Sequence, residues 1–160
     1  MPIHFFEREQ IIEATPEEAW EFFSNPANLA RITPPSLDFR VLSALPPRMH
    51  AGLMIAYRVR PVFGIPMSWL TEITQVNEPT YFVDDQRIGP YRVWHHEHRF
   101  EDLGGGEVRV TDRVTYALRG GWFAEPIHRW IVRPELQRIF AYREKVVAEL
   151  FGAAQRPAMR

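Results

Sequence analysis

Residues Val93 to Phe100 read VWHHEHRF and hold three of the six histidines in the chain. Imidazole titrates near neutrality, so it can act as a general acid or base, as a hydrogen-bond partner for carbonyls and carboxylates, or as a metal ligand. Strand alternation places Trp94, His96, His98 and Phe100 on one face, with Val93, His95, Glu97 and Arg99 on the other. The first set is expected to face the core, which leaves His95 to solvent. In the next predicted strand, Val108, Val110, Asp112, Val114 and Tyr116 share the apolar face. The intervening loop leaves two registers open, with Asp112 opposite either His96 or His98. In both, an inward carboxylate lies beside an inward imidazole.

Three readings follow for His96, His98 and Asp112. The first is structural: buried polar groups must find partners, and Asp112 fixes a histidine tautomer. The second is recognition of a carbonyl, phenol or carboxylate on an otherwise apolar ligand. The third is chemistry. It divides between acid–base work by a His-Asp pair, suited to cyclisation or dehydration, and a metal held by the His-x-His pair with Asp112. The two histidines stand about 6.8 Å apart along the strand. The expectation is a site without metal or cofactor. Further inward candidates come from alternation in the neighbouring strands: Tyr57 beside Ile55 and Val59, Trp69 and Thr71 beside Met67 and Ile73, and Phe82, Asp84 and Gln86 on one face. The expected ligand-binding set is Tyr57, Trp69, Thr71, Phe82, Gln86, Trp94, His96, His98, Asp112 and Tyr116.

These residues need elements to position them. A strand is predicted over Ile3–Ile12. Thr15 then reads as an N-cap, with Pro16 at the first helical position, Glu17 and Glu18 in the first turn, and Ala19, Trp20, Phe22 and Phe23 as the apolar face. Asn25-Pro26 ends that helix, and a second short one is expected up to Pro34-Pro35. The period then changes to two, predicting strands near 38–44, 53–60, 67–77, 80–87, 92–101 and 107–118, joined by short Pro- and Gly-containing turns in an antiparallel meander. After residue 120 the period returns to 3.6. Ile127, Trp130, Ile131, Leu136, Ile139, Phe140, Val146, Val147 and Leu150 predict one buried stripe, interrupted by a kink at Pro134. The fold class expected is α+β, a curved seven-stranded antiparallel sheet wrapped around a long C-terminal helix, with two short helices after the first strand. Such a sheet leaves room for a cavity of about 300 to 1,000 Å³. The loop through Phe63 and Gly64, between Pro61 and Pro66, is a candidate lid.

Composition bounds the function. The chain has 160 residues, 46% of them hydrophobic, which suits one domain over 1–151 with a flexible tail at 152–160. A formal charge of −1 gives no global reason to bind nucleic acid or anionic membranes. The absence of cysteine removes disulfides and thiolate chemistry. No leader-like or spanning apolar run is present, so a cytoplasmic protein without integral membrane association is expected. Phosphate-binding glycine loops and hydrolase motifs are missing as well: LGGGEV leads into a strand, where no helix N-terminus could hold phosphate.

Three motifs resemble a known family. They are FxxPxNLxRxTPP (Phe23, Pro26, Asn28, Leu29, Arg31, Thr33 to Pro35), GPYxxWxHxHxF (Gly89 to Phe100) and TDxVxY (Thr111 to Tyr116), followed by a long helix. Together they resemble the START-like, or SRPBCC, superfamily, and within it the bacterial polyketide cyclase/dehydrase-like, ligand-binding group. The resemblance implies a helix-grip fold with a deep hydrophobic cavity; Pro134 departs from the continuous helix of that group. The function expected is binding of a hydrophobic small molecule, lipid-like or polycyclic. The alternatives are a cyclase or dehydratase with His96 or His98 as general base and Asp112 orienting it, or a non-catalytic interaction domain with a filled core.

Overall fold

The computed structural model describes residues 1–61 and 64–152. Phe63, at the centre of the expected lid, and residues 153–160 of the expected tail lie outside the described residues. Strand β1 (His4–Glu13) is followed by α1 (Pro16–Phe23). The start of α1 is fixed by a reciprocal pair: Thr15 Oγ1 accepts from the Glu18 amide, and Glu18 Oε2 accepts from the Thr15 amide. Asn25 both ends this helix and caps the next turn, its Oδ1 accepting from the Ala27 amide at 3.0 Å. That next element, Pro26–Ile32, is a 3-10 helix, and Pro35 opens a further 3-10 turn, Pro35–Leu37, where a stop was expected. Proline fits a first helical position because its missing N–H would be unpaired there anyway.

Six more strands follow: β2 (Arg40–Val41), β3 (Met54–Val59), β4 (Met67–Asn77), β5 (Tyr81–Ile88), β6 (Tyr91–Gly104) and β7 (Glu107–Leu118). All seven form one antiparallel sheet in the order β1-β7-β6-β5-β4-β3-β2. The expected strand 38–44 shrinks to two residues because Asp38 takes a left-handed conformation at φ 42° and bends the chain just before it. At the other end of β6, Gly105 and Gly106 both have positive φ and make the two-residue hairpin turn into β7. Two bulges re-phase the middle of the sheet. Thr74 is the extra residue on β4, so inward Trp69, Thr71 and Ile73 are followed by inward Val76. On β5, Arg87 is extra between the Thr71–Gln86 and Leu70–Ile88 pairs.

The chain returns through a 3-10 turn (Gly121–Ala124), a single turn α2 (Glu125–Ile127), a π-turn (His128–Val132) and the long helix α3 (Arg133–Phe151). The interruption expected at Pro134 takes the form of that π-turn: the Arg133 amide bonds to the His128 carbonyl, five residues back. One extra residue per turn shifts the apolar stripe by about 100°. Leu136, Phe140 and Val147 are buried against the sheet as expected, whereas Ile127, Trp130 and Leu150 are exposed. The predicted single stripe is therefore corrected at both ends. Among the described residues, no helix is long and apolar enough to cross a membrane.

Packing divides into three clusters. Ile12, Trp20, Phe82, Phe100 and Val108 anchor α1 on the sheet; Val114, Tyr116, Leu136 and Phe140 join α3 to it; Ile55, Tyr57 and Ile73 cover the far strands. Phe82, Leu136, Phe140, Ile55, Tyr57 and Ile73 also line a common cavity, so the clusters surround it rather than merge.

Candidate functional site

The cavity between sheet and α3 has a volume of about 200 Å³. It is smaller than the expected 300 to 1,000 Å³ because aromatic side chains crowd it. Tyr91 and Trp94 have ring centroids 4.7 Å apart, Trp69 and Trp94 stand edge-to-face at 5.4 Å, and Phe39 lies 4.9 Å from Tyr57. Of the ten residues expected to touch a ligand, Tyr57, Trp69, Thr71, Phe82, Trp94, His96 and His98 line the cavity. The other three do not. Gln86 binds the backbone of the turn beside it, its Nε2 donating to the Tyr91 carbonyl at 2.8 Å and its Oε1 accepting from the Tyr91 amide. A Cβ at Gly89 would meet that carboxamide and displace it from Tyr91. Tyr116 is buried in the core, with its hydroxyl 2.9 Å from His128 Nε2. Asp112 stands behind the histidines, away from the cavity wall.

The register question resolves as His98 opposite Asp112 and His96 opposite Val114, with Asp84 of β5 opposite His96 on its other side. The contacts are diagonal as well as direct. His96 Nε2 lies 2.8 Å and His98 Nδ1 3.1 Å from Asp112 Oδ1, and Arg143 Nη1 donates to the same oxygen at 3.0 Å. His98 Nε2 lies 2.8 Å from Asp84 Oδ2, and the two imidazole centroids are 3.8 Å apart. His96 Nδ1 is 3.7 Å from Asp84 Oδ2, too far for a hydrogen bond, and has no hydrogen-bond partner among the described residues. The Phe82 ring stacks on His98 at 4.2 Å. His95 sits on the outer face and pairs with Asp85 at 2.7 Å.

Sequence reasoning missed Arg143 and left Asp84, on the inward face, without a partner. Nothing local revealed that partner. Arg143 lies on α3 between Phe140 and Val147, on the buried face; the 136, 140, 143, 147 spacing was the available signal. Its guanidinium also covers the Phe140 ring at 4.8 Å, and its Nε is buried without a partner among the described residues.

Burial opposes the charge on each of these groups, and their neighbours decide the outcome. For Asp112 the Arg143 guanidinium, then the two histidines, hold the carboxyl well below its usual range despite burial. For Asp84 the hydrogen bond from His98 and the charges of His96, His98 and Arg143 outweigh burial and lower it too. Burial and the adjacent His98 push His96 down, whereas Asp112 and Asp84 flanking both nitrogens of His98 lift it against burial. The two histidines, whose ring centroids are 3.8 Å apart, are therefore driven in opposite directions. Burial, then Asp84, raises the Tyr57 hydroxyl, which stays protonated.

The comparisons with known proteins agree with this architecture. A family model described as polyketide cyclase / dehydrase and lipid transport matches residues 4–148. The chain belongs to that family. Family membership accounts for the helix-grip arrangement, and the solved structures repeat it. The Zhui aromatase/cyclase from a Streptomyces species superposes with a TM-score of 0.70 at 15% identity, covering 93% of each chain. Protein Ms6760 from Mycobacterium smegmatis gives 0.67 at 20% identity, covering 91% of this chain and 89% of that one. A major latex-like protein from Panax ginseng gives 0.67 at 13% identity, covering 93% and 97%. At such identities the likeness extends to the fold of this family and no further. No curated protein matches the chain.

Proposed function

We propose that the protein binds one small, mostly apolar molecule that carries an oxygen function, such as a carbonyl, phenol or carboxylate. The observation that carries this reading is the distribution of polarity in the cavity. Its walls are chiefly aromatic and aliphatic, and His96, His98 and Asp84 converge at one buried place on them. Size narrows the ligand: a cavity of about 150 Å³ takes benzene, so 200 Å³ suits one substituted ring or a compact bicycle better than a polycycle or a two-chain lipid. An interaction domain with a filled core loses support, since the cavity is open.

The test is displacement of a fluorescent apolar probe, 1-anilinonaphthalene-8-sulfonate, by matched aromatic compounds with and without a ketone, phenol or carboxylate. Oxygenated compounds should compete at least tenfold better than the parent hydrocarbon. Equal competition, or no probe uptake, would count against the reading.

One observation favours acid–base catalysis as a second reading. His96 has Nε2 on Asp112 and a free Nδ1 lone pair, which is how an oriented general base is built. An enzyme of this kind should lose turnover by about 10²-fold or more in His96→Ala while still taking up ligand.

A further inference from the structure

The Asp84, His96 and His98 cluster has more order than hydrogen bonding to a ligand requires. Three potential donor atoms, one from each residue, lie within 4.8 Å of one another. The carboxylate oxygen, Asp84 Oδ2, is 2.8 Å from His98 Nε2 and 3.7 Å from His96 Nδ1. Ligand atoms about 2.1 Å from one ion stand about 3.0 Å apart when cis in an octahedron and about 3.4 Å apart in a tetrahedron. The two separations, 2.8 and 3.7 Å, bracket both values.

The other ring nitrogens are held as a metal site needs. His96 Nε2 faces Asp112 Oδ1 at 2.8 Å and His98 Nδ1 faces the same oxygen at 3.1 Å. Metal-bound histidines commonly donate their second N–H to a carboxylate, which fixes the tautomer and turns the free nitrogen to the ion. Here Asp112 does this for His96, with His98 Nδ1 3.1 Å from the same oxygen, and Arg143 secures the carboxylate at 3.0 Å from α3. His96 Nδ1 is the ring nitrogen of the set that is left open on the cavity side. It has no hydrogen-bond partner among the described residues, and a carboxylate oxygen, Asp84 Oδ2, stands 3.7 Å away. A cation placed between them would pair with His96 Nδ1 and take the place of the proton that His98 Nε2 shares with Asp84 Oδ2.

We propose that Asp84 Oδ2, His96 Nδ1 and His98 Nε2 form a binding site for a single divalent transition-metal ion of the zinc class, open to the cavity. Two imidazoles and one carboxylate suit Zn(II), Co(II) or Fe(II) and disfavour the hard, oxygen-seeking Mg(II) and Ca(II). Three protein ligands leave at least one coordination position free. Asp84, His96 and His98 all line the cavity, so that position falls where the ligand's oxygen function is placed above. The site sits in the ligand cavity, but the proposal does not depend on uptake of an organic molecule.

The experiment uses full-length protein stripped with dipicolinate, titrated with Co(II) and with Zn(II), and followed by the visible absorption of Co(II) and by calorimetry. One equivalent should bind, with Co(II) d–d bands that Zn(II) abolishes. Asp84→Asn and His98→Ala should each weaken binding at least 100-fold, and Asp112→Asn about 10- to 100-fold. His128→Gln serves as a control for the second, more exposed cluster of His4, Glu125 and His128 and should leave binding unchanged. A variant that misfolds is replaced by long-range ¹H–¹⁵N spectra of the wild type, in which Zn(II) should shift His96 Nδ1 and His98 Nε2 and spare their other nitrogens. Absence of d–d bands, binding that survives Asp84→Asn and fails in His128→Gln, or shifts confined to other histidines would overturn the proposal. Probe uptake by the same stripped protein, measured in parallel, reports separately on the ligand cavity.

Discussion

Arg143 on α3 donates to Asp112 Oδ1 on β7 across 3.0 Å, and both side chains are buried. Among the described residues, the pair is the one charged tie between the long helix and the cluster behind the cavity wall. Arg143→Met keeps most of the volume but strands the Asp112 charge. Removing one partner of a buried pair costs about 3 to 5 kcal/mol. Because His96 and His98 still face the oxygen, we expect about 3 kcal/mol, seen in urea as a lower midpoint with an unchanged slope. A loss below about 1 kcal/mol would mean that the histidines alone hold Asp112.

Phe82 supports the site from the core side. It is 4% exposed, meets Trp20 edge-to-face at 5.8 Å and stacks on His98 at 4.2 Å. Phe82→Ala should destabilise the fold by about 3 to 5 kcal/mol. Because Phe82 also lines the cavity, the variant should admit bulkier aromatic competitors than the wild type in probe displacement. Unchanged size selectivity would place the ligand elsewhere.

The cavity can also be closed. Leu29 lines it from the 3-10 helix and is only partly buried. Leu29→Trp should fill much of the 200 Å³, abolish uptake of the fluorescent probe and leave the melting temperature within a few degrees of the wild type. Probe binding that persists at full strength would show that the probe sits on the surface.

A pH effect should appear at His128, which does not line the cavity. His128 stacks on His4 at 3.5 Å and takes the Tyr116 hydroxyl at Nε2; Glu125 and Arg133 are its other charged neighbours. Burial first, then His4 and Arg133, lowers its pKa, with Glu125 opposing. The folded protein therefore binds fewer protons here than the unfolded chain in the window between that lowered value and about 6.5. The contribution to stability is complete above about pH 6.5 and is lost as pH falls through the window. Tyr116→Phe removes the donor that favours neutral imidazole, so the His128 Cε1–H resonance should titrate at higher pH in the variant. An unchanged titration would argue against the Tyr116–His128 hydrogen bond.

Much of this was legible in the sequence, and the rest was not for identifiable reasons. Alternation assigned the faces of β3 to β7 because one side of each is buried, and it put His96, His98, Trp94 and Asp84 on the inner side. Register was not legible. The hairpin loop permitted Asp112 opposite either histidine, and only the completed ladder decides for His98. Gln86 was expected at the cavity, but its amide matches the backbone of the Gly89–Tyr91 turn, a local contact that alternation cannot see. Arg143 was hidden by its own chemistry, since a guanidinium in an apolar stripe is ordinarily counted as surface. Pro134 announced an interruption without revealing a π-turn, and the phase change turned Ile127 and Trp130 outward.

The bulge at Thr74 gives β4 two reading frames. Before it Trp69, Thr71 and Ile73 face the cavity, and after it the even-numbered Val76 packs into the core. Deleting one residue there would throw one half of the strand inside out, a greater injury than exchanging any single side chain along it. Part of what shapes this cavity is thus written in the length of the chain, and only part in the identity of its residues.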